Sequence, residues 1–255
     1  MKRPLKGLMF CKLIYVNTIA ELYSFVRQIP PAKKRINLFK VSCRCTFLSF
    51  LFVLSCIHAM AQKPFTEGVI VYKIKLESPD QKMFTGTYTF TFKGPQIRKE
   101  LKLDNGYQDI ELFNVSAGQV YSLQNMNGKK YAIQLNMNDI LKAQEKFAGY
   151  SVSNEEGNTK HIAGCAAYKA NLSYKDGIAS EVYYTKDWRP ANTITFERFP
   201  DAKFLPLNYS YKDENGISMH FEADKVSAGP VESSIFRIPP DYKMISNEEF
   251  KQLNK

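Results

Sequence analysis

Three observations predict a mainly antiparallel β fold of the α+β class, built as a sheet that curves on itself with one or two covering helices. Beyond Gly68, apolar and polar residues alternate with period two. The runs are joined by links of two or three residues rich in Gly, Asn and Asp. Only two short stretches carry helical spacing. Alternation marks strands buried on one side, and short turn-forming links join strands that are neighbours in sequence.

The charge is unevenly distributed along the 255 residues. Of the net +10, residues 1–61 carry +9, from ten basic residues and the single acid Glu21. Residues 62–255 hold 25 basic and 24 acidic residues, a balance of +1. Basic character therefore says nothing about the folded domain, and nucleic acid is not an expected partner. Lys33-Lys34-Arg35, the apolar run Phe47–Leu54 and the small-x-small end Ala59-Met60-Ala61 together predict a signal peptide over residues 33–61 and an exported protein. The uncharged run Thr46–Ala61 is shorter than the ~20 residues a membrane-spanning helix needs. A rival pattern, Val53-Leu54-Ser55-Cys56, would lipidate Cys56. Residues 1–32 fit neither reading and are expected to lie upstream of the true start of the protein.

Residues 62–255 then form one domain, long enough for a sizeable core. Ile70, Tyr72, Ile74 and Leu76 share one face of the first long strand. Phe84, Gly86, Tyr88, Phe90 and Phe92 alternate with four threonines in the next. Strands follow at Gln96–Leu103, Tyr107–Val115, Gln119–Gln124 and Lys129–Leu135, linked by Asp104-Asn105-Gly106, Ser116-Ala117-Gly118 and Asn127-Gly128. Asn138 to Ala148 places Ile140, Leu141, Gln144, Phe147 and Ala148 on one helical stripe ended by Gly149. Strands resume at His161–Tyr174, Ile178–Thr185, Leu207–Lys212 and Ile217–Val226, with Trp188–Pro206 irregular between them. Ser246 and Glu249 form a capping-box pattern before a last helical turn. About ten strands with one apolar face must curl or close to hide it. Such a sheet either fills with its own side chains or leaves a cavity for an apolar ligand, and the aromatic content of 13% suits both.

The inventory for catalysis is thin. The domain has His161, His220 and Cys165, and lacks phosphate-binding glycine loops and a nucleophile elbow. His161 and Cys165 flank a turn, whereas ligand spacing of four suits a helix; His220 and Glu222 share a strand face, and all four could meet only if their strands were adjacent. The acidic pairs Glu155-Glu156 and Asp213-Glu214 read as solvated turn charge. No enzyme, metal or cofactor is expected. Trp188 reads as a plug at the end of the sheet, or alternatively as a cavity wall with Arg189 meeting an anionic head group.

Four segments carry a family resemblance: Phe65–Tyr72, Thr159–Cys165 leading to Tyr168, Ser180–Thr185 and Ile235–Lys243. Across residues 65–245 the chain resembles the periplasmic lipoprotein-carrier superfamily typified by LolA, LolB and LppX, and more closely a secreted Bacteroidetes family of unknown function near it. The resemblance implies an unclosed, strongly curved antiparallel sheet with helices over its mouth, and a concave face that holds acyl chains in the carriers. The expected function is binding of a lipid or other apolar ligand; the resemblance supplies no binding residues, and the aromatic strand face and the segment at Trp188 give Tyr72, Tyr88, Phe90, Phe92, Trp188 and Arg189 as cavity candidates, with the Asn138–Ala148 helix as a lid. The alternative is a cell-envelope interaction module with a self-filled core and a protein partner.

Overall fold

In the computed structural model, the described residues are 62–126 and 128–253. The expectations for residues 1–61, including Cys56 and the cleavage pattern, lie outside them. In chain order the strands are β1 (Lys63–Phe65), β2 (Glu67–Glu77), β3 (Met83–Lys93), β4 (Gln96–Leu103), β5 (Gln108–Asn114), β6 (Gln119–Met126) and β7 (Lys129–Asn136). Helix α1 (Met137–Glu145) follows, then β8 (Ser151–Ile162), β9 (Cys165–Ser173), β10 (Ala179–Thr185), β11 (Trp188–Pro190), β12 (Leu205–Lys212), β13 (Ser218–Ala228), β14 (Lys243–Ser246) and α2 (Asn247–Leu253). Twelve strands form one curved sheet in the order β14-β7-β6-β5-β4-β3-β2-β13-β12-β10-β9-β8, with β14 and β8 as its two edges. It does not close into a barrel. All its pairings are antiparallel except that of β14 with β7. No helix among the described residues is long and apolar enough to cross a membrane.

The meander β2 to β7 matches the alternation in the sequence. One cross-strand row on the inner face reads Ile70, Phe90, Lys99, Glu111, Ser122, Ile133. The neighbouring row reads Phe92, Ile97, Phe113, Val120, Leu135, all but Leu135 buried. The outer face of β5 to β7 carries a second apolar cluster, Ile110, Leu112, Leu123 and Ala132, under Ile238 and Tyr242. These come from a C-terminal strap, residues 229–242, which crosses the back of the sheet. Lys93 Nζ donates to Val231 O (2.6 Å), Arg98 Nη1 to Ile235 O (3.3 Å), and Lys130 pairs with Asp241 (2.6 Å). The motif Ile235–Lys243 is thus the part of the chain that covers the outer apolar patch.

Several local expectations are corrected. The helix starts and stops earlier than Asn138–Ala148: the Asn136 side chain caps it by accepting from Asn138 N–H, and residues 146–149 unwind into turns. Leu141 is 41% exposed while Ile140 and Gln144 face inward. His161–Tyr174 is a hairpin, not one strand, because Ala163 (φ 51°) and Gly164 (φ 79°) reverse the chain. Its first arm, β8, is polar on both faces and so shows no alternation. Glu155-Glu156 lie within that edge strand, where the register slips between Asn154 and Thr159. Glu155 accepts from Asn171 (2.8 Å) and pairs with Lys169 (3.3 Å). The capping box is present in both directions: Ser246 N–H reaches Glu249 (2.7 Å) and Glu249 N–H reaches Ser246 Oγ (3.1 Å).

Candidate functional site

The irregular segment between β11 and β12 determines what the inner face can do. Ile194, Phe196, Phe199 and Phe204 are all buried, and they turn inward from residues 191–204 onto the sheet. Phe196 meets Phe90 edge-on (5.3 Å) and Phe199 meets Tyr209 (5.0 Å). The segment is tied down by Tyr174 Oη donating to Arg198 O (2.8 Å), Asn192 Nδ2 to Gly94 O (3.2 Å) and Arg198 Nη2 to Lys212 O (3.2 Å). A loop normally runs over the surface. This one carries enough apolar area to be driven inside, and its Ile-x-Phe-x-x-Phe spacing is the signal that could have announced it.

The structure brings five of the six sequence-designated residues together along one aromatic seam. Tyr72 is fully buried, ringed edge-on by Phe90 (5.5 Å), Tyr209 (6.0 Å) and Phe221 (6.3 Å), and its hydroxyl donates to Pro206 O (2.7 Å). Burial holds the Tyr72 phenol well above its usual pKa. Phe90 and Phe92 are each 2% exposed, and Tyr88 is half-buried against Phe90 (4.6 Å). Trp188 extends the seam through Phe65, which touches both Trp188 (5.5 Å) and Phe92 (5.4 Å). It sits in a small parallel ribbon formed by β1 and β11. Arg189, next along β11, points the other way and is exposed.

His161 and Cys165 lie on the β8–β9 hairpin, whereas His220 and Glu222 lie on β13, two strands beyond β10. His220 Nδ1 is 2.7 Å from Ser210 Oγ and Glu222 accepts from Asn208 (3.0 Å), so these polar groups serve the outer sheet surface. Burial pushes the Cys165 thiol up, away from the thiolate that a nucleophile requires. Among the described residues, no group of three or more His, Cys, Asp or Glu is arranged to hold a metal ion.

A polar island on the inner face has no counterpart among the sequence expectations. Lys99 is 2% exposed, with its ammonium over the Phe113 ring (4.7 Å) and 3.9 Å from Glu111. Glu111 and Asp109 are both held above the usual carboxylate range, chiefly because burial disfavours their charged forms. For Asp109, contacts from Ser122 (3.4 Å) and Gln124 (3.5 Å) only partly offset this. A carboxyl whose folded pKa is raised binds more protons in the folded state, so its cost appears as pH rises through the unfolded value. Asp109→Asn removes that cost. Relative to the parent, the variant is therefore expected to gain stability between pH 4 and pH 7, read as the difference in urea midpoints. A pH-independent difference would contradict the burial argument.

Two cavities stand out. The larger, about 560 Å³, lies across the outer face and is lined by Lys73, Lys75, Lys102, Thr85, Thr87 and His220 among others. It opens onto the lysine-bearing outer face, and Lys73 is already paired with Asp224 (2.5 Å). The smaller, about 270 Å³, is a cleft at one end of the inner face. Its walls are Phe147 after α1, Tyr174 on the β9–β10 turn, Ile178, Phe199 from the inserted segment and Tyr211 on β12. Arg198 and Lys212 stand beside them. Phe147 meets Tyr174 edge-on (6.0 Å), and burial raises the phenols of Tyr174 and Tyr211. Neither cavity is lined by the six sequence-designated residues.

No protein-family model matches the chain, and no curated protein matches it either. Among solved structures, it is similar to MucB in complex with MucA(peri), at 12% identity and TM-score 0.38 over 70% of this chain and 57% of that one. It is also similar to a LolA superfamily protein from Nitrosomonas europaea, at 13% identity and TM-score 0.34 over 69% of this chain and 92% of that one. An uncharacterized conserved protein from Thermus thermophilus gives 11% identity and TM-score 0.39 over 72% and 93%. The chain spans 57% of the length of the MucB chain it matches.

Proposed function

We propose that the chain is a non-enzymatic, exported binding protein, and that it takes the apolar part of a small ligand in the end cleft of the inner face. One observation carries the reading: five apolar or aromatic residues, Phe147, Tyr174, Ile178, Phe199 and Tyr211, converge on one cleft of about 270 Å³. Mostly apolar walls with a few polar groups are the usual make-up of a ligand pocket. The volume is just under the ~300 Å³ at which drug-sized pockets begin, which suits one ring system or one short chain. The seam of Tyr72, Phe90 and Phe92 supports this cleft from behind; its members are already packed against each other and leave their ligand role to the cleft residues.

A second reading, an interaction module of the cell envelope, is favoured by the filled seam itself, since a solid interior leaves only the outer surface for partners. One experiment separates the two. Protein purified from its native host is extracted under denaturing conditions and the extract analysed by mass spectrometry, while binding of decan-1-ol is followed by calorimetry. Recovery of an apolar compound, and weakening of decan-1-ol binding by Ile178→Asp, is the expected result. Ile178 is 56% exposed, so this change leaves the core intact. An empty extract together with no decan-1-ol binding would leave the interaction module as the function.

A further inference from the structure

The mouth of the end cleft is not neutral. Arg198 lies with its guanidinium over two rings, 4.1 Å from the Phe147 centre and 4.2 Å from that of Tyr211. These two cation–π contacts hold the guanidinium at the cleft before any ligand arrives. A guanidinium has five N–H donors, and one of them is used on Lys212 O (3.2 Å). Lys212 contributes that backbone carbonyl, while its side chain leaves β12 on the face opposite Tyr211, in register with Ser218. The one acid in the lining, Asp176, already accepts from Ile178 N–H (3.1 Å) in the turn. Two acids of the β12–β13 turn are engaged as well, while Glu197, next to Arg198 in the chain, is exposed. Asp213 accepts from Ile217 N–H (2.7 Å), and Glu214 pairs with Lys146. Apolar walls, an exposed apolar lip at Ile178 and the Arg198 guanidinium at the rim describe a receptor for an amphiphile with a negative end.

Resting on the reading that the cleft binds an apolar group, we infer that its ligand is a small anionic amphiphile. Its carboxylate, phosphate or sulfonate is received by Arg198 while its apolar body lies among Phe147, Tyr174, Phe199 and Tyr211. A charge-assisted hydrogen bond of this kind contributes enough to separate an anion from its neutral analogue by roughly tenfold or more in affinity.

The test uses three probes of one chain length on the folded protein at pH 7.5, with calorimetry as readout: decanoate, decan-1-ol and decyltrimethylammonium. Decanoate is expected to bind about tenfold more tightly than decan-1-ol, and to weaken as salt rises, because exposed charges are screened. Arg198→Gln is expected to weaken decanoate several-fold and leave decan-1-ol unchanged. Arg198→Lys, which keeps the charge without the planar fork, should weaken decanoate less than Arg198→Gln, and circular dichroism confirms that each variant is folded. Equal affinities for decanoate and decan-1-ol, or indifference to Arg198→Gln, would overturn the inference while leaving the apolar cleft standing. Tighter binding of the cation would also overturn it. Failure of all three probes would instead sink the binding reading on which it rests.

Discussion

Tyr72→Ala is expected to destabilise the domain by about 3–5 kcal/mol, the range for removing a large buried aromatic ring, and to be among the most damaging single changes in the chain. The ring is fully buried at the crossing of β2, β3, β12 and β13, where it contacts Phe90, Phe196, Tyr209 and Phe221. Deleting it empties a site whose walls belong to four strands and the inserted segment, which cannot all collapse together. Tyr72→Phe separates the hydroxyl from the ring. It keeps the packing but leaves Pro206 O without its donor, at a cost of about 1–3 kcal/mol. Urea unfolding measures both. If Tyr72→Ala cost no more than a surface substitution, the seam would not be a packed core.

The second large effect is at Gly68, where β2 begins beside the end of β13. Its φ is +148°, and a Cβ placed there would lie 2.3 Å from Ser227 O and 2.8 Å from the Phe65 ring. Gly68→Ala must therefore twist the backbone out of a region closed to L side chains and also push two strands apart. Strain and overpacking each contribute roughly 1–3 kcal/mol. The expected loss is about 2–6 kcal/mol, with the damage focused where Phe65 seats Trp188. A change in the fluorescence of Trp188, the single tryptophan of the chain, should accompany the lower urea midpoint. An unchanged midpoint would mean that β2 and β13 are not held in this register.

These two positions show how sequence legibility divides. Tyr72 was readable because strict alternation placed it with Ile70, Ile74 and Leu76, and the six-strand meander β2 to β7 followed from the same pattern and its turn residues. β8 was not readable. An edge strand has solvent on both faces of much of its length, so Ser151-Val152-Ser153-Asn154-Glu155 has no periodicity to detect. The three- and four-residue strands β1, β11 and β14 are too short to show a period. Lys99 was hidden for another reason. Within Arg98-Lys99-Glu100 every position is charged, and only the register with Phe90 and Glu111 shows which one turns inward. The end cleft is assembled from the residue after α1, the β9–β10 turn with the start of β10, the inserted segment and β12. Sequence reasoning named the aromatic residues of one strand face because neighbours on a strand are visible locally; a cleft built from four separated segments is not.

The central claim is the location of the ligand, and the isoleucine methyl groups report it directly. With the methyl groups of isoleucine labelled, titration with decanoate is followed by two-dimensional NMR. Ile178 at the cleft mouth is expected to shift progressively, with Ile194 of the inserted segment following weakly, while Ile97 in the packed seam and Ile110 under the C-terminal strap stay in place. Shifts at Ile97 or Ile110 with Ile178 unmoved would place the ligand elsewhere in the sheet and contradict the account.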